Sequence, residues 1–471
     1  MEQLKVRRTD GDDMPLGGGA LETLHRGLRG RLITARDAEY EQARRTWNGM
    51  IDKHPALIVQ CSGTADVIAA VNFARAHRVP LTVRGGGHNV AGKALNDGGL
   101  VIDLSPMHGV RVDPSRKVAV AAGGATLRDL DHETQAFGLA APVGVVSATG
   151  LGGLTLHGGY GWLSRRLGLS IDNLLAVDIV TADGQLRHAS ADEEPELYWA
   201  VRGGGGEFGV VTAFEFRLSP VGPEVWFGLT MYPMEQGADA LRLFRRHMSQ
   251  APEELSALGV LWSAPEASPI PEPVRGRPVF VFAACYSGPP EQGEEVLRPF
   301  REFGEPLLDA TQRIPFAQAQ QALDENYPDG RLYYWKSSYL TELSDGAIDV
   351  LVAHARERPS PLSSVIVWAL GGAVARVPPT ETPFGMRTAP YMVGIEANWE
   401  DATHTDENMA WNRSLFADLK PFSAGASYLN FPGFYEEGEA MFKGAYGENL
   451  ERLKRIKAQY DPVGMFGTAF Q

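Results

Sequence analysis

Cysteine is nearly absent from this 471-residue chain: there are two, Cys61 and Cys285, with no short-range pairing pattern. That excludes a disulfide framework and a thiolate zinc site, and the expectation is two free, buried thiols. No run of about 18 apolar residues occurs, so no membrane-spanning helix is expected. After the Arg7–Arg8 pair the sequence turns acidic and glycine-rich where an export signal would need an apolar stretch, and a reducing cytoplasm is the expected setting. Positive charge is in deficit, with 44 Lys plus Arg against 58 Asp plus Glu and a net charge of −14. Only local clusters such as Arg44–Arg45 and Arg165–Arg166 interrupt it. Such a balance repels phosphate backbones and anionic lipid, so neither nucleic acid nor a membrane is an expected partner. A Rossmann fingerprint followed by an acidic residue about 20 positions on is missing, which argues against a nicotinamide dehydrogenase. His108, His132 and His157 lack a metal-ligand spacing, and no metal is assigned.

Glycine is in excess, 53 residues, and it concentrates between Gly85 and Gly209. Hydrophobic residues at 44% and charged residues at 22% match folded proteins, which excludes wholesale disorder. At roughly 150 residues per domain the length implies about three units or two large ones. Residues 36–46 place Tyr40, Ala43 and Trp47 at helical spacing. A strand over 55–60, a helix from about 62 to 76 and a strand over 81–84 then lead directly into Gly85-Gly86-Gly87-His88. This order of elements suits a nucleotide-binding unit. Further strands are expected at 100–104, 117–121 and 175–181. From about residue 220 the texture changes to longer helical patterns, such as 238–248, and strands at 278–284, 364–369 and 391–399. A last helix is expected over 447–459, ending at Tyr460-Asp461-Pro462. The expected division is an N-terminal helical segment (1–50), a cofactor-binding domain (51–220), a substrate domain (221–420) and a returning C-terminal segment (421–471).

Three glycine segments carry the chemistry. The first is Arg84-Gly85-Gly86-Gly87-His88-Asn89, whose consecutive backbone N–H groups can form an anion-binding concavity, though a tight turn beside a bystander histidine has the same sequence. The second, residues 144–161, has seven glycines in 18 positions broken by Ser147, Thr149 and His157. It matches neither a Rossmann turn nor a Walker loop, and would suit extended backbone lying flush against a long flat ligand. The third, residues 199–212, contains Gly203-Gly204-Gly205-Gly206 and Gly209-Val210-Val211. Any one could be a structural loop; three within 130 residues, each next to a strand, point to a large dinucleotide.

These segments, with Asp172-Asn173, Tyr334-Trp335-Lys336, Tyr428-Leu429-Asn430-Phe431 and the terminal Tyr460-Asp461-Pro462-Val463-Gly464-Met465-Phe466, resemble the vanillyl-alcohol-oxidase superfamily and, within it, the berberine-bridge-enzyme-like oxidoreductases. The resemblance covers about residues 56–466. It implies an α+β, two-domain FAD-binding fold with an antiparallel-sheet substrate domain. It implies that FAD lies along Arg84, Gly85, Gly86, Gly87, Asn89 and Gly92; along Gly144, Ser147, Thr149, Gly150, Gly152, Gly153, His157, Gly158, Gly159 and Gly161; and along Asn173, Gly209, Val210, Val211, Tyr428 and Asn430. It also implies a covalent bond from His88 to the flavin. Many relatives add a second bond from a cysteine at the position of Val146; valine excludes that, so the chain is more similar to singly linked relatives such as 6-hydroxynicotine oxidase.

The implied activity is hydride transfer from a small organic substrate, an alcohol, amine, sugar or aromatic secondary metabolite, to FAD, followed by reoxidation by oxygen or another acceptor. Leu154 falls where relatives control oxygen access and would shield the ring. Val146, Thr149 and Leu154 together also resemble the wall of the enterocin-pathway flavoenzyme, which keeps a flavin-N5-oxide monooxygenase as an alternative, beside a non-catalytic flavin-binding protein. The glutamate base of plant relatives is replaced by Arg376 after Gly371-Gly372, and a neighbouring glutamine by Gly394. Period-two alternation puts Met392, Gly394, Glu396 and Asn398 on one face of their strand. Glu396 is therefore a candidate base, or a solvated or ion-paired strand residue, with Tyr334, Tyr339 and Tyr428 as phenols expected nearby.

Overall fold

In the computed structural model the described residues are 4–266, 270–467 and 470. Strand Leu57–Gln60, helix Thr64–His77 and strand Leu81–Arg84 follow one another, and both strands pair in parallel with Leu100–Asp103. Leu57, Ile58 and Val59 and the whole of Leu100–Asp103 are buried, as parallel strands require, whereas Leu81–Arg84 buries only Leu81. Arg31–Ile33 adds an antiparallel edge strand to this sheet. A five-stranded antiparallel sheet has the order Leu186–Ser190, Leu174–Val180, Val210–Arg217, Val118–Ala122, Val110–Asp113.

The N-terminal 50 residues differ from a helical segment. They hold a hairpin (Lys5–Arg7 with Asp13–Pro15), helix Gly18–Gly27, the edge strand and only one helical turn, Tyr40–Ala43. The helix expected over 36–46 is shortened because the Asp37 carboxylate accepts from both the Thr34 N–H and hydroxyl, holding the chain in a turn. At the other end, helix Leu450–Tyr460 starts three residues later than expected, after a 3-10 turn at Gly447–Asn449 and a separate helix Gly438–Tyr446.

The eight strands of the largest sheet lie between Glu224 and Trp399. Its central order is Glu224–Pro233, Pro278–Tyr286, Leu255–Ser263, Ser364–Ala369, Tyr391–Trp399, Leu332–Leu340, all antiparallel. Helices Gly237–Met248, Asp345–Arg356 and Thr405–Asp418 cover one face through Leu241, Phe244, Leu351, Trp411 and Leu415, which meet Val393, Ile395 and Ala397. Each of these large side chains contributes on the order of 1.5–3 kcal/mol by leaving water. The opposite face, with Leu258, Ile366, Trp368 and Met392, belongs to a separate cluster shared with Tyr160 and Tyr428 from the glycine-rich half. That second face is where the site lies.

Candidate active site

A cavity of about 840 Å³ runs between the three glycine segments and the free face of the large sheet. This volume suits a cofactor-sized ligand. Strand Leu81–Arg84 sets its direction: Leu81, Thr82 and Val83 line it, and the chain then delivers Gly85, Gly86, Gly87, His88 and Asn89 to its wall. The second segment contributes Gly144, Thr149, Gly150, Gly152, Gly153, Leu154 and His157, and the third Gly209 and Val211. Tyr428, Asn430 and Glu396 complete the expected residues that line it.

The glycines divide by what surrounds them. An ideal Cβ on Gly86 would stand 2.4 Å from Gly150 N, and one on Gly150 would stand 2.3 Å from Gly86 N, so the first two segments touch backbone to backbone. A Cβ on Gly153 would meet nothing within 4 Å, because that position opens onto the cavity. By contrast Gly158, Gly159 and Gly161 do not line it. At Gly159 (φ +84°) a Cβ would fall 2.1 Å from Ser170 Oγ, and at Gly161 1.7 Å from Val143 O, so packing against the protein itself requires these glycines. Arg84, Gly92, Ser147, Asn173 and Val210 also lie behind the wall. Arg84 donates to Ala43 O, the Asn173 amide to Leu167 O and Leu169 O, and Ser147 N–H to the Asp324 carboxylate.

His88 is half-buried with its Nε2 enclosed, and its imidazole stacks on Trp47 with ring centroids 4.7 Å apart; Trp47 in turn stacks on Tyr333. Burial pulls its pKa down to about 4, so the ring is neutral, and Nε2 has no hydrogen-bond partner. An orphaned nitrogen on the wall of a glycine-lined cavity, with backbone bare of side chains at Gly153, fits a large flat cofactor such as FAD. Tyr428 accepts at its hydroxyl from Gly159 N–H (3.1 Å) and from the Asn430 amide (2.8 Å), and the same amide reaches Leu154 O.

On the sheet, pairing puts Trp335, Glu396 and Ser364 on one face, with Ile366 beside Gly394 and Trp368 beside Met392. Glu396 therefore faces the cavity. Burial pushes its carboxyl up to about 7, against hydrogen bonds from the Tyr327 hydroxyl (2.8 Å) and Ser364 (3.3 Å), both to Oε2. Tyr334 is not at the site: alternation turns it to the helix-covered face, where its hydroxyl meets Glu436 and Arg413. Tyr339 lies on the cavity side of its strand but packs against Phe384, off the wall. Trp47, Tyr327, Trp335 and Trp368 line the cavity without having been singled out as site residues. The alternation that selects Glu396 also selects Trp335 across the strand pair, whereas Tyr327 sits in an irregular segment whose position has no sequence period.

An FAD-binding domain model matches residues 55–190, and a berberine and berberine-like model matches residues 427–469. An FAD-linked oxidoreductase of Dictyostelium discoideum is 32% identical over 446 residues, covering 93% of each chain. The chain belongs to the FAD-linked oxidoreductases of this berberine-like family. It is an enzyme of that family with the vanillyl-alcohol-oxidase type of fold. (R)-6-Hydroxynicotine oxidase of Paenarthrobacter nicotinovorans is 41% identical over 191 residues, 41% of this chain and 42% of that protein. The crystal structure of 6-hydroxy-D-nicotine oxidase from Arthrobacter nicotinovorans superposes with a TM-score of 0.84 at 26% identity, covering 93% of this chain and 96% of that one. Among the described residues no helix is long and apolar enough to cross a membrane.

Proposed function

We propose that this FAD-linked oxidoreductase carries its FAD on His88 alone and oxidises a small organic molecule held against Glu396, with oxygen or another acceptor closing the cycle. The observation that carries the reading is the neutral, half-buried His88, with an unpartnered nitrogen, on the wall of a glycine-lined cavity. A neutral imidazole keeps a lone pair for bond formation, and Trp47 holds the ring plane. Val146, also on the wall, has no thiol to form a second bond. Bound FAD supplies the two-electron acceptor for hydride leaving substrate carbon.

The chain supplies the rest. Glu396 Oε2 is held by Tyr327 and Ser364, which leaves Oε1 to take a proton from a substrate O–H or N–H. Leu154 and Thr149 line the wall where an acceptor approaches, and Leu154 is wedged against the spaces left by Gly144 and Gly159. In this reading residues 51–220, with the return of 421–471, hold FAD, and residues 221–420 present the substrate.

Acid precipitation tests the attachment. The denatured pellet of the wild-type protein stays yellow, and that of His88→Ala releases its flavin to the supernatant. A colourless wild-type pellet overturns the covalent link.

A further inference from the structure

Resting on the reading of this cavity as an oxidoreductase site, the substrate class can be read from its far wall. Around Glu396 the lining is Trp335, Tyr327, Phe431, Trp368, Ile366 and Met392. The rings stand edge to face: Trp335 lies 5.4 Å from Tyr327 and 5.3 Å from Phe431 between centroids. The polar capacity of this wall is already spent inward. Trp335 Nε1–H donates to Asn398, and the Tyr327 hydroxyl donates to Glu396.

Two polar atoms remain, and they flank one spot. Gly394 leaves a notch in the sheet face: the position its Cβ would take lies 3.7 Å from Glu396 Oε1 and 3.8 Å from Trp368 Nε1, with no closer neighbour. Trp368 is 8% exposed and its Nε1–H has no partner. A buried N–H without an acceptor beside a carboxylate oxygen left open defines a polar point in an otherwise aromatic slot.

We propose that the notch over Gly394 seats the hydroxyl of a flat aromatic substrate, which donates to Glu396 Oε1 and takes the Trp368 Nε1–H, while its rings lie between Trp335, Tyr327 and Phe431. A carbohydrate is the wrong partner for this wall. Its several hydroxyls would lose water and find two bonding positions, leaving the remainder buried and unpaired. An aromatic alcohol or phenol has few polar groups to satisfy and offers faces that pack on the rings.

Isothermal titration of the purified protein with 2-naphthol, 4-hydroxybenzyl alcohol, their methyl ethers, glucose and cellobiose tests the assignment. The hydroxylated aromatics bind at least about tenfold tighter than their methyl ethers, and neither sugar binds in the same range. Gly394→Ala fills the notch at ordinary contact distances without positive-φ strain, so it keeps the melting temperature and FAD content of the wild type while weakening 2-naphthol at least about tenfold. Trp368→Phe keeps a ring and loses the donor, and weakens 2-naphthol. Sugar binding as tight as that of 2-naphthol, or an unchanged dissociation constant in Gly394→Ala, overturns the proposal. FAD content is measured on the same samples. Protein that neither carries nor takes up FAD counts against the oxidoreductase reading, while the titration still decides the notch.

Discussion

A carboxyl group stripped of water holds its proton, and at Glu396 that one property sets both a rate and a stability. Its pKa is pushed by burial to about 7, above the range of an exposed glutamate. Folded protein therefore keeps a proton that unfolded chain has lost between roughly pH 4.5 and 7, and stability falls as pH rises through that window. The loss amounts to about 3 kcal/mol and levels off above the folded pKa. Glu396→Gln flattens that part of the curve in urea melts at a series of pH values. Asp131, buried beside Gln320 and also pushed to about 7, contributes a fall of the same sign that the variant retains. Proton acceptance needs the ionised form, so flavin reduction by substrate under anaerobic conditions speeds up through about pH 7. Glu396→Gln slows it on the order of a hundredfold and removes the pH step. A step that survives in the variant assigns the proton to another group.

At the scale of elements, the legible features were those with a period. Strands Ser364–Ala369 and Tyr391–Trp399 have the bounds expected from their apolar patterns, and alternation places Glu396 on the cavity face. The same rule turns Tyr334 away, because its neighbour Trp335 is the residue paired with Glu396. A motif shared with relatives names a stretch of chain, and register decides which of its side chains reach the site. Glycine runs were legible as loops but not by role. Backbone that must approach a ligand and backbone that must approach another loop use the same residue, and only the neighbours separate Gly153 from Gly159. Substitution makes the distinction measurable. Gly153→Val leaves the melting temperature within a few degrees and abolishes flavin loading, because its side chain enters the cavity. Gly159→Val, with φ +84° and Ser170 in the way, lowers the melting temperature or prevents folding before flavin content becomes informative. Equal flavin content in wild type and Gly153→Val would remove that segment from the cofactor's path.

For the whole molecule, the question is what keeps the wall built from distant parts of the chain closed on one cavity. Arg387 is fully buried and grips Asp172 with two hydrogen bonds of 2.8 and 2.9 Å, tying the loop before the last sheet strand to the glycine-rich half. The C-terminus is tied in a second way. Lys457 Nζ reaches Asp461 (2.8 Å) and Glu207 O (2.6 Å), while the Asp461 carboxylate accepts from Met465 N–H and Phe466 N–H. Met465 O in turn takes the N–H of Leu81, and Val463, Gly464, Met465, Phe466 and Gly467 all line the cavity. Sequence suggested the return of this segment through Tyr460-Asp461-Pro462, but not that a carboxylate with no exposed surface organises it. Removing Asp461 takes one of two carboxylates, beside that of Glu207, from a buried ammonium and leaves two backbone donors unpaired, so Asp461→Ala costs about 3 kcal/mol and opens the wall at the end where Leu81 enters. The exposed pair Arg452–Glu196 joins the same helix to Pro195–Val201 and provides the control. Because solvent screens it, Glu196→Gln costs less than about 1 kcal/mol. Urea melts give the two energies, and FAD dissociation measured in a His88→Ala background separates fold from grip. Asp461→Ala loosens FAD there and Glu196→Gln does not; equal FAD affinity in both would reduce the C-terminal return to a structural clamp with no part in holding the cofactor.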